Sequence, residues 1–195
     1  MALTPERKLK KTVIDLMRDP LFADMSGIFM LGSKQVVGNI PTACTNGRDE
    51  LYGKAFVESL DMKELAFVVV HESYHKLLRQ LTVWSKLWEE NPRLANRAMD
   101  YVINLAIVKR DPSNSVVKVP QKDGKPMALL DKRFDNMNTK QVYDILKDEQ
   151  KGGDVDLYVE APQPHLMQKI RCKVQLEERL DMPVDLIVKI GRAHV

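Results

Sequence analysis

The sequence predicts an α+β fold that is mostly helical, with a small mixed sheet ahead of a central helix. Three helix-capping signals are each followed by apolar residues at helical spacing. Between the first two, residues 27–46 are apolar and β-branched and are interrupted by glycine and asparagine, which is typical of short strands. With 195 residues, of which 44% are hydrophobic, the chain can bury one substantial core but not two large domains.

The first helix is predicted to begin after Thr4, which suits an N-cap, with Pro5 in the first helical position. Apolar residues then recur at helical spacing as far as Asp19-Pro20: Leu9, Val13, Ile14 and Met17. Three short strands are predicted next, at residues 28–31, 35–37 and 42–45, because glycine and asparagine punctuate the chain between them.

A central helix is predicted from Asp61, which can form a capping box with Glu64 three residues later. Residues 65–70 are apolar on nearly every face, so this helix should lie deep in the domain. A further helix is predicted to begin at Asn91-Pro92 and to extend through Leu105 towards Asp111.

Residues 116–120 have the pattern of a short strand, and Thr139 could cap a helix over residues 140–149. Residues 151–154 read as a linker. The predicted organisation is therefore one domain over residues 1–150, followed by a linker and a C-terminal helical appendage over residues 151–195. The appendage contains one amphipathic helix, residues 165–180, and a short apolar run, residues 184–190.

The amino-acid composition limits the classes of function that are expected for this chain. No stretch has the twenty or so uninterrupted apolar residues of a membrane span, so no membrane partner is expected. Two cysteines far apart in sequence, Cys44 and Cys172, support neither a disulfide framework nor a cysteine-rich zinc module, and a reducing cytoplasm fits best. The net charge of +3 is small and the charges are interleaved, so nucleic-acid binding is not indicated.

The sequence His71-Glu72-Ser73-Tyr74-His75 carries the candidate chemistry. Residues four apart share a helix face, so the two imidazoles can bind a single zinc ion. The Glu72 carboxylate could then act as general base on a zinc-bound water, which is the arrangement that hydrolyses peptide bonds. Burying these polar side chains in an apolar helix without a partner would cost free energy, and metal binding would remove that cost.

A catalytic zinc site needs a third protein ligand, for which the candidates are Asp100, Glu89, Glu90 and Cys44. Asp100 is preferred because it lies among apolar positions of the second long helix, where a carboxylate needs a partner. At about 1.5 Å per residue, an unbroken helix from His75 onwards would carry the chain too far for Asp100 to return. The first helix should therefore end or bend near residues 80–85.

Position along the two helices suggests a supporting role for Asn104 and a catalytic role for two tyrosines. Asn104 follows Asp100 by four residues and shares its helix face, which suits a role in holding the aspartate or a histidine in place. Tyr101 and Tyr74 are candidate oxyanion donors, although an aromatic core role is the common alternative for both.

Residues 61–104 resemble the putative metallopeptidase domain that precedes a von Willebrand factor A-like domain in many bacterial and some phage proteins. The residues before the active helix look like that family's Tyr-Asn-Pro-x-Phe-Val segment, residues 92–104 look like its second signature, and residues 137–143 resemble its Ser-x-Glu-Glu-x-Tyr helix. The resemblance covers about two thirds of the chain and implies a zincin-like fold. It also implies that His71, His75 and Asp100 bind the metal and that Glu72 is the catalytic glutamate.

The sequence departs from the family's pattern in two places. The loop around residues 81–90 is longer here, and no A-like domain with its own metal motif fits after residue 153. The favoured interpretation is a zinc-dependent metallopeptidase acting on a peptide or protein, with an extended substrate pairing with an edge strand near residues 42–45.

Two alternatives remain open. One is a non-catalytic adaptor or regulatory binding protein stabilised by the metal, for which a fourth protein ligand such as Cys44 would be evidence. The other borrows from peptide deformylases, which use the same histidine spacing with a cysteine ligand. The glycine-rich and Glu-Gly-Cys segments of those enzymes are missing here.

Overall fold

The first helix, α1 (Pro5–Arg18), begins as predicted: the Thr4 hydroxyl accepts the Arg7 N–H at 3.3 Å, and a proline occupies the first turn. It is followed by a 3-10 turn (Ala23–Met25) and a single helical turn, α2 (Ser26–Phe29). The computed structural model describes residues 3–152 and 185–186. Within them, none of the helices has the length and hydrophobicity needed to cross a membrane.

The strand predicted at residues 28–31 is wrong, because α2 and a turn occupy this segment. The carbonyl groups of Ile28 and Leu31 both accept hydrogen bonds from the Lys76 ammonium, each at 3.0 Å, instead of pairing with a strand. An apolar run of four residues fits one helical turn as well as it fits a strand.

The sheet is small and mixed. Its first strand, β1 (Lys34–Val37), runs parallel to β3 (Glu50–Gly53), and β2 (Ala43–Thr45) is antiparallel to β3. The predicted strands at residues 35–37 and 42–45 correspond to β1 and β2, whereas β3 was not predicted. Gly53 ends β3 where the chain passes Ile40, and a Cβ atom there would lie 2.3 Å from the Ile40 carbonyl oxygen.

After α3 (Lys54–Ser59), the central helix α4 (Met62–Leu77) starts with the predicted capping box. The Glu64 N–H donates to Asp61 Oδ1 at 2.8 Å, and the Asp61 N–H donates to Glu64 Oε2 at 3.0 Å. The helix is buried along most of its length and ends before Arg79, whose φ of 49° is left-handed. Two short helices follow, α5 (Gln80–Val83) and α6 (Ser85–Glu90), which confirms the predicted break.

The second long helix, α7 (Pro92–Arg110), is capped by Asn91, whose side chain accepts the Leu94 N–H at 3.1 Å. The strand predicted at residues 116–120 is wrong. The N–H groups of Val116 and Val117 donate to the Asp111 carboxylate at 2.7 and 2.9 Å, so the segment finds its partners in a side chain instead of a neighbouring strand.

A two-stranded hairpin follows, made of β4 (Gln121–Lys122) and β5 (Lys125–Pro126), and then a 3-10 turn (Lys132–Phe134). The last long helix, α8 (Thr139–Gly152), includes the predicted residues 140–149. Asn138 caps it instead of Thr139, because Asn138 Oδ1 accepts the Gln141 N–H at 3.0 Å.

A short strand, β6 (Asp185–Leu186), pairs antiparallel with β2 at Thr45 and Cys44, which completes the strand order β1-β3-β2-β6. The expectation that residues 42–45 present a free edge is therefore wrong at residues 44 and 45. Residues 151 and 152 belong to α8; the rest of the predicted linker, the helix at residues 165–180 and most of the apolar run at residues 184–190 lie outside the described residues.

The α+β architecture is confirmed, and its helices pack around two apolar clusters. The first joins α1, the sheet and α4 with Ile103 and Ile107 of α7, and the second joins α6, the first half of α7 and α8. The end of α4 and the middle of α7 meet between the two clusters. Polar side chains from α4, α7 and the start of α8 collect at this junction.

Candidate metal centre

Three side chains that the sequence singled out come together at the junction of α4 and α7. His71 and His75 lie four residues apart on α4, and Asp100 approaches them from α7. All three are at most 3% exposed. The helical repeat brings the histidines together, and the break after α4 returns the chain so that α7 can pass beside them.

The three nearest donor atoms form a small triangle. His71 Nε2 lies 3.0 Å from His75 Nε2, and Asp100 Oδ1 lies 3.5 Å from the first nitrogen and 3.6 Å from the second. Ligands about 2.0–2.1 Å from a tetrahedral metal ion are separated by about 3.4 Å. The triangle therefore has the dimensions of one face of a tetrahedral metal site.

Asn104 sets the orientation and the tautomer of the His71 ring. Its Nδ2 donates to the Leu129 carbonyl oxygen at 3.0 Å, and because a carbonyl can only accept, the amide oxygen must be the atom that faces His71. That oxygen lies 2.8 Å from His71 Nδ1, so Nδ1 carries a proton. The Nε2 lone pair is then left to face the centre of the triangle.

Gln80 orients the His75 ring in the way that Asn104 orients His71. Its Oε1 lies 2.7 Å from His75 Nδ1, and its Nε2 donates to the Thr139 hydroxyl at 3.3 Å. Gln80 is 1% exposed and is the first residue of α5, so the left-handed turn at Arg79 places it beside His75. Sequence reasoning missed this residue, and its position directly after the predicted helix break was the available signal.

Two imidazole lone pairs that face each other at 3.0 Å repel unless a cation lies between them. Asp100 adds a third acceptor, since Oδ1 has no hydrogen-bond partner among the described residues while Oδ2 accepts from Asn96 Nδ2 at 3.0 Å. Burial raises the pKa of Asp100, whereas His71 and His75 lower it when they are protonated, because they then donate hydrogen bonds and carry positive charge. A buried set of two nitrogens and one carboxylate oxygen fits a metal ion.

Glu72 lies in the same turn of α4 and is 1% exposed. Nearby, the Tyr52 hydroxyl donates to Glu50 Oε2. Burial, followed by the charges of Glu50 and Glu72, raises the pKa of Tyr52 well above its usual value. Tyr52 therefore remains a neutral phenol beside these carboxylates, and Lys34 and Lys76 neutralise Glu50 from the other side.

The other proposed ligands lie elsewhere in the described structure. Cys44 is buried in β2, Glu89 is exposed, and Glu90 pairs with Lys147 on the surface, so none belongs to the histidine–aspartate group. The two tyrosines face apolar clusters. The Tyr101 ring meets Phe134 edge to face at 4.8 Å, and Tyr74 packs against the first cluster. An oxyanion role for Tyr101 stays a prediction.

A cavity opens beside the triangle. Its volume is about 30 Å³. Its walls come from α3, α4 and α7, from Thr42 ahead of β2, and from the chain on either side of the β4–β5 hairpin. The residues that line it are Thr42, Phe56, Phe67, Val68, His71, Asp100, Asn104, Pro120, Met127, Ala128 and Leu129.

The chain is similar to a family of known proteins. Residues 7–176 match the family described as a putative metallopeptidase domain. No curated protein and no solved structure shows significant similarity to the chain. The matched range includes the triangle, Glu72, both amides that hold the histidines, and the walls of the cavity.

Proposed function

Since the chain belongs to the putative metallopeptidase domain family, we propose that it is a zinc-dependent hydrolase of peptide bonds. In this proposal His71, His75 and Asp100 bind the zinc ion, and Glu72 is the general base. The substrate is a peptide or a protein, and the cytoplasm is the proposed location because the sequence has only two widely separated cysteines.

The observation that carries this proposal is the number and kind of donor atoms. Two imidazole nitrogens and one carboxylate oxygen converge on one point, and the group contains no fourth histidine, cysteine or acidic ligand from the described residues. Structural zinc sites are closed by four protein ligands, whereas catalytic sites use three and keep one position for water or substrate. A fourth ligand from Cys44 would have favoured the adaptor alternative, and Cys44 is outside the group.

Zinc suits this donor set better than magnesium or calcium, which prefer six or more oxygen ligands. When bound, zinc would act as a Lewis acid that polarises a carbonyl group and lowers the pKa of a water molecule towards neutrality. The protein contributes the orientation of the ligands. Asn104 and Gln80 hold both histidines in the tautomer that presents Nε2, and Asn96 holds the Asp100 carboxylate.

In this mechanism the Glu72 carboxylate accepts a proton from the attacking water and then delivers it to the nitrogen of the departing amine. Glu72 is 1% exposed, so little bulk water competes for the proton during the two transfers. The cavity beside His71 and Asp100 has mostly apolar walls, which lower the dielectric constant around these two ligands.

The test compares the purified protein with Glu72→Gln and His71→Ala variants, after loading with zinc and removal of excess metal. Metal content is measured by elemental analysis, and cleavage of a mixed peptide library by mass spectrometry. We expect Glu72→Gln to keep one zinc per chain and to lose about a hundredfold to ten-thousandfold in rate. His71→Ala should lose both zinc and activity.

Glu58→Gln is the matched control, because Glu58 is an exposed glutamate on α3 and its change removes the same charge. It should leave zinc content and rate unchanged. Full turnover by zinc-loaded Glu72→Gln protein would reject Glu72 as the base. A wild-type protein that binds zinc and cleaves nothing in the library would reject the hydrolase and favour the adaptor.

A further inference from the structure

Residues 118–129 form a strap that runs from the start of α4, through the β4–β5 hairpin, to the middle of α7. Near its first end, the Gln121 N–H donates to Glu64 Oε1 in the first turn of α4 at 3.3 Å. At its other end, the Leu129 carbonyl oxygen accepts from Asn104 Nδ2 at 3.0 Å. The strap is therefore fastened to both of the helices that carry the metal-binding triangle.

The strap is also a wall of the cavity beside the triangle. The Met127 N–H donates to the Pro120 carbonyl oxygen at 2.8 Å and closes the hairpin. The turn at its tip is left-handed at Asp123 and Gly124, with φ of 52° and 73°, as in a two-residue hairpin turn. Four strap residues line the cavity: Pro120, Met127, Ala128 and Leu129. A change in the position of the strap would therefore change the cavity.

Asn104 joins the strap to the metal centre. It is 2% exposed, and its Oδ1 lies 2.8 Å from His71 Nδ1 while its Nδ2 donates to the Leu129 carbonyl oxygen. A carbonyl group can only accept a hydrogen bond. If the amide turned over, its oxygen would face the Leu129 carbonyl oxygen and its nitrogen would face the His71 N–H. One amide therefore holds both the His71 ring and the end of the strap.

The amide that holds the second histidine is attached in a different way. Gln80 faces His75, and its Nε2 donates to the Thr139 hydroxyl at 3.3 Å. Because a hydroxyl can donate as well as accept, Gln80 could turn over without placing two acceptors against each other. The partner of Gln80 can thus adapt, whereas the partner of Asn104 cannot. A change at the metal centre should therefore affect the strap and not the start of α8, where Thr139 lies.

Metal binding would make opening of the strap more costly. A metal ion at His71 Nε2 would fix the ring, so that the Nδ1 proton stays directed at Asn104 Oδ1 and the amide nitrogen stays directed at Leu129. Opening the strap would then leave the buried Nδ2 group of Asn104 without an acceptor, which is unfavourable. In the metal-free protein the ring can turn and the amide can turn with it, so the same opening costs less.

We propose that the strap is a positioning element of the metal centre: metal binding favours the closed strap, and the closed strap holds His71, through Asn104, in the orientation that binds the metal. Because the coupling is reciprocal, each favours the other by the same factor. The inference rests on the proposed function for the presence of a metal ion at the triangle. It goes further in making one wall of the cavity depend on that metal, and it does not require peptide cleavage.

Hydrogen exchange measures this coupling separately from catalysis. The exchange rates of the Gln121 and Met127 amides, which fasten the strap, are measured by NMR on the metal-free and the zinc-loaded protein. We expect zinc to slow both by about tenfold, the effect of one more buried hydrogen bond that opening must break. The Val142 amide at the start of α8, which donates to the Asn138 carbonyl oxygen at 3.1 Å, is the comparison. Its exchange rate should change by less than about twofold.

Asn104→Leu removes the link and keeps a side chain of similar size. We expect its zinc affinity to fall about tenfold, and zinc at saturating concentration should no longer slow exchange at Met127. Gln80→Leu is the matched control, because it removes the corresponding buried amide from the other histidine. When saturated with zinc, the Gln80→Leu protein should keep the slower exchange at Met127.

Equal exchange rates at Gln121 and Met127 with and without zinc would overturn the proposal, and the wild-type protein decides this even if a variant fails to fold. Slowing that persists in the zinc-saturated Asn104→Leu protein would also overturn it, because the coupling would then bypass Asn104. The two proposals can fail separately. Zinc-dependent slowing without cleavage of any peptide refutes the hydrolase and keeps the strap, whereas cleavage without such slowing refutes the strap and keeps the hydrolase.

Discussion

Two buried aspartates, one in the middle of α7 and one directly after its end, show in what different ways the charge of a carboxylate can be satisfied. Asp111, at the end of the helix, accepts five hydrogen bonds from the loop that follows: from the N–H groups of Ser115, Val116 and Val117 and from the hydroxyls of Ser113 and Ser115. Asp100, in the middle of α7, accepts one hydrogen bond, from Asn96, and its Oδ1 faces two histidine nitrogens.

Both residues are at most 3% exposed, so burial does not distinguish them. The difference lies in what satisfies the charge. The partners of Asp111 are supplied by the protein, which makes it a structural residue that shapes residues 111–117. Asp100 is left with an oxygen that the described residues do not satisfy, beside two further acceptors, which is the condition for binding a cation.

The largest expected effect comes from Asp100→Asn, which keeps the volume of the side chain and removes its charge. We expect zinc affinity to fall at least about a hundredfold, because one of three ligands is lost. The metal-free protein should be as stable as wild type or more so, since an unsatisfied buried charge is removed. Competition with a chelator measures the affinity, and urea denaturation in EDTA measures the stability.

A loss of more than about 2 kcal/mol in the stability of the metal-free Asp100→Asn protein would contradict this difference between the two aspartates. That result would make Asp100 a structural residue like Asp111. Unchanged zinc affinity would instead remove Asp100 from the ligand set.

Asp111→Asn should have the opposite profile. Its amide nitrogen can no longer accept from the N–H groups of the loop, so we expect the free energy of unfolding to fall by about 2 kcal/mol. Zinc affinity should stay within about twofold of wild type, because additive behaviour is usual for separated sites. Urea denaturation and chelator competition on the same preparations give both values.

The destabilisation caused by Asp111→Asn should depend on pH, and the pKa of Asp111 determines the sign of that dependence. Backbone and hydroxyl donors lower the pKa of Asp111 in the folded state, although burial alone would raise it. The stabilisation is therefore complete above the unfolded-state pKa of about 3.9 and is lost as the pH falls below it. Between pH 6 and pH 3, the difference between wild type and Asp111→Asn should shrink by about 1 kcal/mol. A difference that stays constant over this range would show that the lost contacts do not involve the charge.

The sequence predicted those parts of the centre that follow from local spacing. The histidine pair is set by the helical repeat, the capping box by residues three apart, and the break after His75 by the distance that the chain must cover to bring Asp100 back. Each of these needs only the geometry of one helix or the length of one connection.

The parts that were missed depend on pairing between distant segments. The strand β3 is four residues long and is defined by its partners β1 and β2, and residues 116–120 have a strand pattern but find their partners in Asp111. Thr42 reaches the cavity because the sheet packs against α4, a contact that no local pattern encodes.

Gln80 is the missed residue with the most direct link to the metal, and it gives the last prediction. Gln80→Leu keeps a side chain of similar size but removes the oxygen that accepts the His75 Nδ1 proton. His75 could then rotate or change tautomer, so we expect zinc affinity to fall about tenfold, less than for a lost ligand. Gln35→Leu is the control, since Gln35 is an exposed glutamine on β1 and should leave zinc affinity unchanged. Equal affinity for wild type and Gln80→Leu would mean that α4 alone holds His75 in place, and that the break after Arg79 serves only to return the chain to Asp100.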